Sequence, residues 1–183
     1  MAPRPRQALQ SRVATLEDMY RQVQRERMQG VPLLNPQLRV QAVGFQWADS
    51  AGDAEESDPL VAEGVLVTPW FMSLVRLPAI PQTHQDRVGR SQTRNFGCEQ
   101  FDFIGSYDPV VGYHEACALF SPMNDFDTQA SACATAREVL AALRSDAPPQ
   151  PAQPAPEPIP APEPIPAPEP MPARRAFFLA RRG

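Results

Sequence analysis

The chain has 183 residues, with 21 Asp plus Glu against 17 Arg, no Lys, and a formal net charge of −4. Residues 148–172 are largely Pro with Ala, Glu and Gln, so about 145 residues remain for a body of single-core size. That body is acidic, at −5 up to Asp146, while the remainder is +1. An acidic body argues against a phosphate-backbone partner.

Three cysteines, Cys98, Cys117 and Cys133, with no C-x-x-C, argue against a disulfide framework or a zinc site. Met1 to Gln10 has no apolar signal core, and no stretch approaches about 18 apolar residues. The expectation is a cytoplasmic protein with inert thiols, no cofactor and no metal.

Leu9, Val13, Leu16, Tyr20 and Val23 recur at 4-3-4-3 spacing and predict an amphipathic helix from about Ala8 to Met28. Arg12, Glu17, Arg21, Arg25 and Glu26 fall on its wet side, and Gly30 offers the turn that ends it. Pro32 and Pro36 then force an extended corner around Leu33-Leu34-Asn35. Leu38 to Trp47 reads as a strand whose alternation changes phase at Gly44, the mark of a bulge. Residues 49–58 form an acidic loop without calcium-loop spacing.

The stretch Gly64-Val-Leu-Val-Thr-Pro-Trp-Phe-Met72 is central. Val61 to Thr68 predicts a strand, which Pro69 stops because it lacks an N–H. Phe71 to Leu77 predicts the next strand, with Trp70 and Met72 on one side and Phe71 on the other. Ser91 to Asn95 reads as an edge strand, Gln100 to Gly105 as a clear strand, and Gly112 to Phe120 as another. Asn124 or Asp125 is positioned to cap a last helix whose stripe is Phe126, Ala130, Cys133, Arg137, Leu140 and Leu143. This order predicts an α+β fold: a single domain with an antiparallel five- to six-stranded meander sheet. The N-terminal and C-terminal helices cover one face of it, and a disordered Pro-rich tail follows.

The tail itself divides into a Pro/Glu-rich polyproline II linker, 147–173, and a basic-aromatic end, 174–183. No phosphate loop and no G-x-S-x-G elbow is present. His114 and Cys117 fall on opposite sides of a strand, so they do not make a nucleophilic pair. Asp102 and Glu115 on neighbouring strands read either as a carboxylate pair or as a solvated sheet face. None of this argues for an enzyme.

With those motifs in view, the body resembles the HybE-type [NiFe]-hydrogenase assembly chaperones, a group that includes HupJ and HoxT proteins. The matching pieces are Pro32 to Pro36, Ala42 to Phe45, Gly64 to Met72, Leu74 to Pro78, Phe101 to Gly105 and Leu119 to Phe126. The resemblance implies a non-enzymatic protein of hydrogenase maturation. Its implied partner is the iron–sulfur small subunit precursor, exported with a twin-arginine signal peptide and held until assembly is complete; other maturation proteins are further possible partners. No catalytic residue carries over. A second reading is a thiol-bearing scaffold or redox accessory that protects the iron–sulfur client.

Such a client offers two guanidinium groups followed by an apolar stretch, and therefore asks for carboxylates beside a soft apolar groove. Candidate groove residues are Trp70, Phe71, Met72, Met123 and Phe126; candidate carboxylates are Asp102 and Glu115, with Asp125 or Asp127 further along. Arg174, Arg175, Phe177 and Phe178 imitate the twin-arginine motif, which suggests a tethered pseudo-ligand for the same groove.

Overall fold

The computed structural model describes residues 5–48 and 60–145. The acidic loop at 49–58, the linker at 147–173, and the tail with Arg174, Arg175, Phe177 and Phe178 lie outside the described residues. In order, the elements are α1 (Pro5–Arg27), β1 (Gln41–Trp47), β2 (Val61–Val67), β3 (Met72–Pro78), β4 (Ser91–Phe96), β5 (Glu99–Asp108), β6 (Gly112–Phe120) and α2 (Gln129–Leu143). A single 3-10 turn, Gln85–Arg87, lies between β3 and β4.

The α+β expectation is met by one six-stranded antiparallel sheet, ordered β1-β2-β3-β6-β5-β4. It is not one continuous meander. Two three-stranded meanders meet where β3 pairs with β6, and the long connection after β3 carries the chain to the far edge, β4. The bulge expected near Gly44 is present as a register shift between Val43 and Gln46.

The two helices do not share a face. Val65, Val67, Met72, Leu74, Phe96 and Phe103 point to the side closed by Ala132, Cys133, Ala136, Leu140 and Leu143 of α2. Ala62, Leu66, Val75 and Leu77 point to the other side, where Leu16 of α1 is fully buried. The strands themselves required this. Six of seven residues are buried in β2, and six of seven in β3, a pattern that an antiparallel strand with one wet face would not show. Fully burying each Leu or Val on both faces contributes about 1.5–3 kcal/mol, so a second covering layer is strongly favoured.

Several local expectations change with this arrangement. Arg12, placed on the wet side of α1, is buried; its Nε donates to Pro78 O at 3.0 Å and its Nη2 to Val111 O at 2.8 Å. The N-cap of α2 is Thr128, whose hydroxyl accepts from Ser131 N, rather than Asn124 or Asp125. Ala130 and Arg137 are exposed, and the buried stripe of α2 runs through Ala132, Cys133, Ala136, Leu140 and Leu143. Among the described residues, no helix is long and apolar enough to cross a membrane.

Candidate functional site

Three motif segments meet at one end of the sheet, and Asn35 joins them. Its backbone N–H donates to Pro69 O at 2.9 Å, and its side-chain Nδ2 donates to Met123 O at 2.9 Å and Phe126 O at 2.7 Å. Its Oδ1 accepts from Gln37 N. A buried amide with every one of these bonds made is a strong positional constraint, because an unmade one costs about 1–3 kcal/mol. Two prolines flank this segment, Pro32 and Pro36.

The turn between β2 and β3 is built by Thr68. Its hydroxyl donates to Phe71 O and accepts from Phe71 N, both at 2.9 Å. Trp70 therefore stands on the turn, ahead of the first residue of β3, and the strand alternation that paired it with Met72 does not apply there. Its ring meets Phe71 edge-on at 5.6 Å, Phe71 meets Tyr20 of α1 at 5.6 Å, and Tyr20 meets His114 at 6.3 Å. These four rings form a continuous row on the α1 face of the sheet.

Beyond that row the α1 face is open. Helix α1 packs over β1, β2 and β3 and reaches only the near side of β6. On β5 and β6 the same face presents Ile104, 54% exposed, and the exposed Ala118 and Asp102, whereas a bulge at Leu119 sets Phe120 opposite Met72 on the α2 side. Asp102 accepts from Thr93 Oγ1 at 2.6 Å on the edge strand and is otherwise free to meet solvent. A groove of about 230 Å³ continues from this surface between α1 and the end of β5, lined by Met19, Tyr20, Val23, Glu26, Asp108 and His114. Burial pushes the Tyr20 hydroxyl up to about 12, aided by Asp108, and pulls His114 down, so both stay neutral near pH 7. The charged groups of the groove are then Glu26 and Asp108 against Arg27, an excess of one negative charge.

The remaining expected groove residues occupy other places. Met72 and Met123 are fully buried and Phe126 nearly so; all three belong to the core under α2 and support the turn from within. Phe126 is touched edge-on by the exposed Phe120, 5.3 Å away. Ile104 is the residue the strand pattern left unremarked, because a sheet half without a covering helix cannot be seen in period-two alternation alone.

Glu115 is not available to an outside guanidinium. It lies on the α2 face, opposite Asp102, so the two carboxylates do not pair. Its Oε1 accepts from Tyr113 Oη at 3.0 Å and Arg94 Nη2 at 3.2 Å, and its Oε2 from Arg76 Nη1 at 3.4 Å. Burial, with Glu115 beside it, raises the Tyr113 hydroxyl well above its ordinary value. His114 and Cys117 stand on opposite faces, as their spacing required. Cys98 is exposed, Cys117 half-buried and Cys133 buried, and all three are free thiols. Among the described residues, no group of three or more His, Cys, Asp or Glu is placed to hold a metal.

Known proteins share this chain's pattern. The family described as "[NiFe]-hydrogenase assembly, chaperone, HybE" matches residues 11–180. Protein HoxT of Cupriavidus necator is 42% identical over 149 residues, covering 76% of this chain and 80% of HoxT. The probable rubredoxin HupJ of Rhodobacter capsulatus is 34% identical over 134 residues, covering 73% of this chain and 45% of that protein. The solution structure of HybE from Escherichia coli superposes with a TM-score of 0.51 at 15% identity, covering 94% of this chain and 91% of that one, a likeness of fold.

Proposed function

The chain belongs to the HybE family of [NiFe]-hydrogenase assembly chaperones, and from that premise we propose that it holds the iron–sulfur small subunit precursor by its twin-arginine signal peptide. The observation that carries this reading is the open α1 face: the exposed Ile104 and Ala118 and the Trp70–Phe71–Tyr20 row share it with the exposed carboxylate of Asp102, and Glu26 and Asp108 line the groove at the α1 border. An aromatic shelf accepts the apolar run of a signal peptide without demanding one sequence. Carboxylates at its border take the two guanidinium groups, Arg being favoured over Lys where bidentate geometry is available.

This reading keeps Trp70, Phe71 and Asp102 as contacts, adds Ile104, and gives Met72, Met123, Phe126 and Glu115 the task of supporting the fold beneath. The chemistry is binding alone, and the site needs neither cofactor nor metal for it. The protein would act in the cytoplasm, before export of the client.

Fluorescence anisotropy of a labelled twin-arginine signal peptide, titrated with the full chain, tests the proposal. Ile104→Ser should weaken binding by roughly tenfold, the loss expected for one well-packed contact of about 1.4 kcal/mol. Because Ile104 is more than half exposed, the variant should unfold at nearly the same denaturant concentration as the native chain. A twin-lysine peptide should bind more weakly, and added salt should narrow the difference. Equal affinity of native chain and Ile104→Ser, or of the two peptides, would exclude this surface. Replacing Cys98, Cys117 and Cys133 by Ser should leave the affinity unchanged if the thiols play no part in holding the client; loss of binding would favour the redox-accessory reading.

A further inference from the structure

On the opposite face, and at the opposite end of the strands from Trp70, lies a cavity of about 40 Å³ lined by Arg76, Arg87, Arg94, His84, Tyr113 and Glu115. Three guanidinium groups there meet one lining carboxylate, Glu115, whose two oxygens already accept from Tyr113, Arg94 and Arg76. Glu63, one strand further in, takes the Nε of Arg76 at 2.9 Å. Two donors are left over. Among the described residues, the Nε of Arg94 is screened from solvent and has no acceptor, and Arg87 has no ion pair. His84 is tied to Gln82 at 2.6 Å and stands edge-on to Tyr113 at 5.3 Å, which closes one wall.

The surplus is of donors, and a buried charged donor left without an acceptor is expensive. We propose that this cavity is an anion-binding site for one small oxyanion head group, a carboxylate or a phosphate. The size agrees: on the order of three water-sized groups fit, enough for a single head group and too little for a whole metabolite. The body around it is net acidic, so the local excess of positive charge does not follow from composition. The backbone holds the wall in place. Gly89 N donates to Gly105 O at 2.8 Å and Gly105 N to Arg90 O at 3.1 Å, which pins the segment carrying Arg87 against β5. Because Glu115, Arg76 and Arg94 already fix one another, the oxyanion would enter a site whose donors are oriented beforehand, with Arg87 closing on it from the connection between β3 and β4.

The full chain, isotopically labelled at arginine, should be titrated at constant ionic strength with inorganic phosphate in one series and acetate in another, using sodium chloride to balance. The Arg94 Nε–H resonance should shift saturably with at least one of them; which one saturates identifies the head group. Arg87→Gln should weaken that binding at least about tenfold, as loss of one charge-assisted partner predicts. Arg90→Gln, which removes an equally charged but exposed side chain outside the cavity, should leave it unchanged. A resonance that moves with neither anion, or one that responds as strongly in Arg87→Gln as in the native chain, would overturn the site. Arg87 is half-buried and Arg90 exposed on the segment 85–90, and urea unfolding of both variants against the native chain checks that the fold is kept.

Discussion

At the scale of single residues, Asn35 shows how one amide holds several motifs together. Its two N–H donors serve Met123 O and Phe126 O, while its own backbone N–H holds Pro69 O beneath Trp70. Asn35→Asp keeps the size and reverses the chemistry, because a carboxylate has no hydrogen to give and would face two carbonyl oxygens. The expected cost is at least about 3 kcal/mol, the sum of two unmade buried bonds and the burial of a charge. Asn35→Ala should cost about 2 kcal/mol, since it loses the bonds and adds no charge. Urea unfolding of both variants measures the order; an aspartate variant as stable as the alanine one would contradict the donor assignment. Arg12 carries a related lesson. A helix position that reads as wet was drawn inward because Pro78 O and Val111 O needed donors, and a long guanidinium reaches where a backbone amide cannot.

At the scale of elements, the β4–β5 hairpin is locked to the end of α2. Cys98 N donates to Leu143 O at 2.7 Å, and Gly97, with φ of 61°, lies so close that an added Cβ would stand 1.9 Å from that same oxygen. Gly89 has a similar φ of 73° but open space around it. Alanine at 89 should therefore cost about 1 kcal/mol, the backbone term alone. Alanine at 97 should cost clearly more, above about 3 kcal/mol, because the backbone of α2 has to move as well. Thermal unfolding compares the two directly, and equal losses would show that the hairpin does not rest on the helix. The α2 stripe of Ala132, Cys133 and Ala136 is what permits this closeness: small side chains bring the helix near β1 and β2.

At the scale of the whole molecule, the sheet has one face closed by α2 and its core and one face only half covered by α1. His114 sits at the border of that coverage, 2% exposed, against Tyr20 of α1, with Asp108 and Arg12 as the charged groups nearest it. Burial lowers its pKa, outweighing the pull of Gly112 O and Asp108 in the other direction. The unfolded chain takes up a proton near pH 6.5 that the folded chain refuses until lower pH, so stability should be constant above that point and fall as pH drops through it. His114→Gln should flatten the dependence of unfolding free energy on pH between about 7 and 5, where histidine titrates. An unchanged slope would mean that another group carries the titration.

Much of this was legible without coordinates. The limits of β6, the start of β4, the bulge near Gly44, and the separation of His114 from Cys117 all follow from local periodicity, which a chain carries in itself. The motifs also sufficed for the family, because they are short, specific and spread along the whole body. The assignment of helices to faces did not follow. Alternation says which residues share a side and not which layer covers that side; that both faces are dry shows only in the folded sheet, where six of seven residues are buried in each of β2 and β3. Nor did the fate of the polar groups follow. Whether Glu115 meets a client or Arg76 and Arg94, and whether Met72 lines a groove or fills a core, depends on strand order, and β3 beside β6 is a contact between segments about 40 residues apart. Local chemistry therefore decided what each segment becomes, while long-range pairing alone decided which side chains remain free to act.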